Sequence, residues 1–303
     1  MKAIGLIHYV LALALAPLLL GTINRVKALF AGRHGPPLFQ VYFDLGKLLR
    51  KGAVYSRTTT WVFRSGPVVA LAATALALGM IPMAGQAAPL AFTGDVFVAV
   101  YLLGLARFFT VLAALDTGSA FEGMGASREV QFSALAEPAL LVGLVALGRL
   151  THSLSLSPAY AGVGPELWSA GGVSLALLAV AFFVVLLAEN ARIPFDDPNT
   201  HLELTMIHEV MVLDHGGPDF ALITYGASLK LWLFASLLAG LIIPVRQGPE
   251  WLDTAAALGG VFVVGCAVGM VESCMARLRL LRVPQILFAA LVFSALAFLL
   301  QMR

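Results

Sequence analysis

Between residues 188 and 217 the sequence reads AENARIPFDDPNTHLELTMIHEVMVLDHGG, and it gathers Glu189, Arg192, Asp196, Asp197, His201, Glu203, His208, Glu209, Asp214 and His215. Carboxylates and imidazoles at this density can hold a metal ion, form ion pairs or pass protons. A zinc-protease site needs H-E-x-x-H, so that two histidines share one helical face. Here HEVMV places Val212 where the second histidine would stand. His201 and His208 could share a face, but no third ligand has a matching offset, so no metal site is expected. The histidines are expected instead to cap helices, form hydrogen bonds or exchange protons. Leu202, Leu204, Met206, Ile207, Val210, Met211, Val212 and Leu213 are interleaved with the charges, which marks a segment packed beneath another surface rather than a solvated loop.

The elements that must position this segment follow from composition. Sixty per cent of residues are hydrophobic and 12% charged, against roughly a quarter charged in soluble domains, and the mean hydropathy is +0.91. The chain is therefore read as an all-α polytopic membrane protein, a single integral membrane domain over residues 1–303 without internal repeats. Apolar runs long enough to cross the bilayer, about 20 residues each, lie near 4–24, 65–83, 96–115, 132–150, 171–190, 219–243, 252–275 and 283–301. The first is expected to be a retained helix rather than a signal peptide, because Arg25 and Lys27 follow it where a signal peptide has its basic residues in front. A net charge of +2 does not suggest nucleic acid as a partner. The two cysteines, Cys266 and Cys274, offer neither a disulfide framework nor the ligands of an iron–sulfur cluster.

Lys and Arg are retained on the cytoplasmic side. Thirteen fall on one side of the spans and four on the other, with Arg107 and Lys230 near the middle of spans three and six, which places both termini outside. Two cytoplasmic loops are long, 25–64 and 191–218. Within the first, Leu38, Val41, Leu45, Leu48 and Leu49 recur at helical spacing, which predicts an amphipathic helix lying on the membrane surface.

An ionisable group at mid-bilayer costs about 2.5–3.5 kcal/mol on insertion scales, so each is expected to be paired or functional. Arg107 and Lys230 are deepest, and Glu137, Glu189 and Glu272 lie in the cytoplasmic half of spans four, five and seven. With Glu203 and Glu209 from the long loop they are read as a proton path. The alternative is static pairing with arginines such as Arg192 and Arg277.

Gln40, Asp44 and Lys47 in the first loop, Arg128 and Glu137 in the third, the ENARIPFD stretch of the fifth, and Arg282 and Gln285 in the last together resemble the membrane subunit beneath the hydrophilic arm of respiratory complex I and its relatives in formate hydrogenlyase and other energy-converting [NiFe] hydrogenases. Gln40, Asp44, Lys47, Leu48 and Lys51 match the pattern Q-x-x-x-D-x-x-K-L-x-x-K. Arg128 and Glu137 keep that family's separation of arginine and membrane glutamate, although the glutamine has moved to Gln131 and the tyrosine is Ala136. ENARIPFD echoes E-T-N-R-x-P-F-D through Glu189, Arg192, Pro194, Phe195 and Asp196, and Glu203 and Leu204 continue the alignment. The last loop keeps Arg282 and Gln285 but has Pro284 in place of an aspartate, and Asn199 and His201 stand where quinone-reducing members carry acidic residues. These departures favour the hydrogenase branch.

The resemblance implies a non-catalytic membrane subunit that docks a soluble redox module and links it to proton or sodium translocation. It implies a NiFe centre and iron–sulfur clusters in partner subunits and none in this chain. The implied partners are the soluble [NiFe] hydrogenase large and small subunits, iron–sulfur subunits and antiporter-like membrane subunits in the cytoplasmic membrane. Gln40, Asp44, Lys47, Arg50, Arg128, Arg192, Asp196, Arg277, Arg279 and Arg282 are the expected docking residues. The second reading within the family is the quinone-cavity subunit of an NADH or ferredoxin dehydrogenase. A stand-alone transporter or channel belongs to a different class, and many of those show internal repeats that this sequence lacks.

Overall fold

A computed structural model of the chain describes residues 2–197, 206–243 and 249–302, with side chains from residue 4. Its helices are α1 (Lys2–Phe30), α2 (Gln40–Leu49), α3 (Trp61–Leu78), α4 (Asp95–Asp116), α5 (Ala120–Leu150), α6 (Leu156–Ala161), α7 (Pro165–Glu189), α8 (Gly217–Ile242), α9 (Glu250–Cys274) and α10 (Val283–Leu300). Among the described residues eight are long and apolar enough to cross a membrane: α1, α3, α4, α5, α7, α8, α9 and α10. The all-α polytopic reading holds. Central α8 packs against α1, α3, α7 and α9, while α10 lies on α5 and α7 and α4 lies on α3. Trp61 and Trp251, at opposite ends of the bundle, point outward, as expected of aromatic side chains at the two membrane–water boundaries.

Backbone polar groups have no water to turn to inside a bilayer, so each helix break must be answered locally. Pro17 lies inside α1 and cannot donate to the carbonyl of Leu13. The Tyr225 hydroxyl on α8 donates to that carbonyl at 2.9 Å, and Tyr42 on α2 donates to the next one, Ala14, at 2.5 Å. Helix ends are tied in the same way. The Asp116 carboxylate at the end of α4 accepts from Thr60 N at 2.6 Å and Phe63 N at 3.2 Å, closing the start of α3. At the other end of the bundle Asp95, fully buried, accepts from Ser155 Oγ at 2.8 Å and Leu156 N at 2.7 Å and caps α6.

The predicted surface helix is α2. It buries none of its residues, and Phe43 and Leu49 present apolar surface outward. Several boundaries differ from expectation: α1 runs on to Phe30, and the fifth span, α7, starts at Pro165. The second span starts at Trp61 and ends at Leu78, with residues 79–83 outside the helix. The fourth starts at Ala120, so residues 120–131, expected in a loop, are helical. That extension is stabilised by packing: a Cβ on Gly125 would run into Val210 and Met211, so glycine lets the 3-10 turn Glu209–Val212 press against α5.

Candidate functional site: a buried charge network

Four helices and one loop segment converge on Arg107 of α4, which is 7% exposed. Its Nε donates to Glu129 Oε1 at 3.1 Å. Its Nη2 lies 2.5 Å from both oxygens of Glu189, at the end of α7, and its Nη1 bonds Glu137. Glu129 and Glu137 are eight residues apart on α5, the i, i+8 spacing of one broad helical face. Gly104, one turn before Arg107, leaves room for Glu137: a Cβ there would stand 3.4 Å from its carboxylate. Lys230 of α8 closes the far side, with Nζ 2.8 Å from Glu189 Oε2. On the loop side His208 Nδ1 lies 3.3 Å from Glu129 Oε2.

Two fixed cations, Arg107 and Lys230, thus face three carboxylates, Glu129, Glu137 and Glu189. A proton on His208 brings the cluster to balance. Burial alone would push the His208 imidazole pKa down, but the Glu129 carboxylate outweighs it and holds the pKa above the ordinary histidine value. Both ends of the network are open: the His208 side chain is 32% exposed and that of Glu137 40%, whereas Arg107 and Glu189 are at 6% and 5%. A cavity of about 330 Å³ adjoins it, lined by Arg107, Glu129, Lys230, His208 and Glu209 together with apolar residues such as Leu71 and Ile223. It has room for on the order of ten waters.

A second set of charges braces the loop. Asp196 accepts from the backbone N–H groups of Ile207 and His208, both at 3.0 Å, and from Arg277 at 2.8 Å. Glu272 of α9 pairs with Lys27 at 2.8 Å and Arg192 at 3.3 Å. Arg128 donates to the Met206 carbonyl at 2.8 Å. His208 is therefore held from both sides, by its backbone and by its ring.

Of the expected proton-path residues, the structure brings together Arg107, Glu137, Glu189 and Lys230. Glu209 lines the cavity, Glu272 belongs to the second set, and Glu203 lies outside the described residues. The alternative of static pairing with Arg192 and Arg277 is met in part: Arg192 meets Glu272, whereas Arg277 meets Asp196, and Glu137 and Glu189 pair with Arg107. Among the expected docking residues, Asp44, Lys47, Arg50, Arg279 and Arg282 are exposed, Gln40, Arg128 and Arg277 are half-buried, and Gln40 donates to Asp44 at 2.9 Å. Arg192 and Asp196 are buried and bonded inside the fold, not presented on its surface. Sequence reasoning missed Glu129, the contact of His208 with it, and Lys27. The eight-residue offset from Glu137 would have found Glu129 had residues 120–131 been read as helix. Among the described residues, no group of three His, Cys, Asp or Glu side chains is placed to hold a metal ion.

The fold and the network define a multi-pass helical membrane protein with a shared, inward-facing cluster of ion pairs. The family model for NADH dehydrogenase matches residues 2–302, and the chain belongs to that family. It is 33% identical over 300 residues to formate hydrogenlyase subunit 4 of Escherichia coli (strain K12), covering 97% of this chain and 96% of the relative. It is 31% identical to hydrogenase-4 component C of the same organism, covering 97% and 93%. A chain of the membrane-bound sulfane sulfur reductase, an archaeal respiratory membrane complex, shares the fold with a TM-score of 0.80 at 22% identity, over 98% of both chains.

Proposed function

We propose that this chain is the membrane anchor and coupling subunit of an energy-converting [NiFe] hydrogenase complex of the formate hydrogenlyase type. The full-length similarity to two hydrogenase-associated proteins supports the assembly. The coupling role rests on one observation: a continuous chain of charge from half-exposed His208, through Glu129 and Arg107, to a Glu137 side chain 40% exposed on the side of the bundle. On this reading the loop segment senses the docked module, a proton enters at His208, and Glu137 hands the charge change to an antiporter-like neighbour in the cytoplasmic membrane. Both termini lie outside. The NiFe centre and iron–sulfur clusters reside in the partner subunits. Lys47, Arg50, Arg279 and Arg282 face that module with fixed charge suited to its carboxylates.

The test uses sealed vesicles. Glu137→Gln and Glu189→Gln remove a titratable proton while keeping the shape of the side chain. Both variants should assemble and reduce protons with an artificial donor, yet form much less gradient per turnover. An unchanged gradient in both would return these residues to static pairing. The cavity of about 330 Å³, with its apolar lining residues, favours a second reading, a quinone-type ligand site. Quinone-competed photolabelling of residues 206–215 would support that reading over the first.

A further inference from the structure

At the end of the bundle opposite His208, a small cavity lies between α1, α8, the end of α3 and the segment that follows it, lined by His8, Tyr9, Trp232 and Ser236 among apolar residues; the Tyr9 hydroxyl donates to the Ala75 carbonyl at 3.2 Å. His8, Trp232 and Ser236 are more than nine-tenths buried, at 4%, 0% and 5% exposure. Among the described residues His8 Nδ1, Trp232 Nε1 and Ser236 Oγ have no hydrogen-bond partner. An unanswered buried polar group costs about 1–3 kcal/mol, and three around one cavity point to a shared ligand.

The chemistry of that ligand follows from proton positions. The Thr254 hydroxyl on α9 donates to the Glu250 carbonyl at 2.7 Å, so its oxygen is left to accept from His8 Nε2–H at 3.0 Å. That contact fixes the tautomer and leaves Nδ1 as an acceptor. Trp232 Nε1 can only donate, and a serine hydroxyl can do either. The ligand must therefore accept from the indole, donate to the imidazole and exchange a bond with the serine. The cavity measures about 10 Å³, close to the least that holds one water.

The same three helices line the large cavity. On α3, Thr74 lines the large cavity and Leu78, one turn on, the small one; on α8, Lys230 lines the large cavity and Trp232, two residues on, the small one. We propose that the small cavity binds a single water, and that His8, this water and Ser236 form a proton station at the end of α1 and α8 away from the charge network. An excess proton arriving on this water would pass to His8 Nδ1 and leave the water neutral, while His8 releases its Nε2 proton to the Thr254 oxygen. The Thr254 hydroxyl proton then passes to solvent at the half-exposed start of α9. This role rests on the coupling reading above; the water site does not.

Two measurements test it on the assembled complex in bilayers. With ¹⁵N-labelled histidine, solid-state NMR should show His8 as the Nε2–H tautomer, with magnetisation reaching Nδ1 from water, and this transfer should weaken in Trp232→Phe. An Nδ1–H tautomer, or no transfer from water, overturns the site. In sealed vesicles His8→Phe and Thr254→Val should each lose most of the gradient while hydrogen evolution with an artificial donor persists. If Glu189→Gln lowers the gradient and neither of these variants does, the station is refuted while the coupling reading stands. If none of the three changes it, the coupling reading fails and takes the role of His8 with it, leaving the NMR result to decide the water site alone.

Discussion

Replacing Arg107 by glutamine removes the one side chain that three carboxylates share. Breaking a buried ion pair by deleting one partner costs about 3–5 kcal/mol, because the remaining charge stays buried without compensation. The structure places this variant near the upper part of that range. Arg107 and Glu189 are only 6% and 5% exposed, so solvent screens neither; Glu137, at 40%, contributes less. With Lys230 as the remaining fixed cation, the cluster would carry two uncompensated carboxylates in place of one.

The double variant Arg107→Gln/Glu189→Gln restores the original imbalance, since Lys230 then faces Glu129 and Glu137. It should recover about 2 kcal/mol of the single-variant loss, a coupling of the size seen for directly contacting charged residues. Arg107→Lys keeps the charge but lacks a planar fork able to reach three acceptors, and should fall between wild type and Arg107→Gln. The assay is unfolding of the purified protein by SDS in mixed micelles, followed by tryptophan fluorescence. A loss below about 1 kcal/mol for Arg107→Gln, or a double variant whose loss equals the sum of the singles, would show that Arg107 is not the centre of the cluster.

The raised pKa of His208 makes its contribution full below the unfolded-state value of about 6.5 and lost as pH rises through the folded value. Stability should therefore fall as pH rises from about 6.5 through the folded-state value, and His208→Gln should flatten that slope in the same unfolding assay. Tyr225→Phe leaves the Leu13 carbonyl opposite Pro17 without its donor and should cost about 1–3 kcal/mol. In a Pro17→Ala background the helix supplies its own N–H, so the same change should cost much less, as a thermodynamic cycle would show. If the chain assembles as proposed, Arg279→Glu with Arg282→Glu, both exposed beyond α9, should release the docked module at moderate salt; an intact complex on size exclusion would leave these arginines as orientation signals only.

Most of the helical frame was legible because hydropathy reports what a bilayer demands, one apolar stretch of about 20 residues at a time. The depth of Arg107 and Lys230 was legible for the same reason, since each interrupts such a stretch. Their partners were not. Spacing along the chain cannot say which of several carboxylates an arginine on another helix will reach, so the pairing of Glu137 and Glu189 with Arg107 is not legible in it. The start of α5 was hidden because AFEGMGASREVQ carries glycines and charges that resemble a loop, and its helix depends on Gly125 packing beneath Val210. Lys27 was read only as a marker of orientation, yet it pairs with Glu272. Arg192 and Asp196 were assigned to docking because charge in a loop reads as surface, whereas both are buried.

The two charge clusters differ in a way that bears on which of them can move. Around Glu272 two fixed cations hold one carboxylate, and Asp196 is held by Arg277 and two backbone N–H groups. Neither arrangement needs a mobile proton to satisfy its acidic group, and both suit a brace that sets the position of residues 206–208. Around Arg107 the fixed cations fall one short of the carboxylates, and the group placed to make up the difference is His208, whose ordinary pKa lies closest to neutrality. Its backbone N–H is bonded to the brace and its ring to the cluster. A displacement of residues 206–208 by a docked partner would thus alter the His208–Glu129 contact first, and through it the proton that balances Arg107, Glu137 and Glu189. On the coupling reading, this shortage of one positive charge is what makes the cluster responsive.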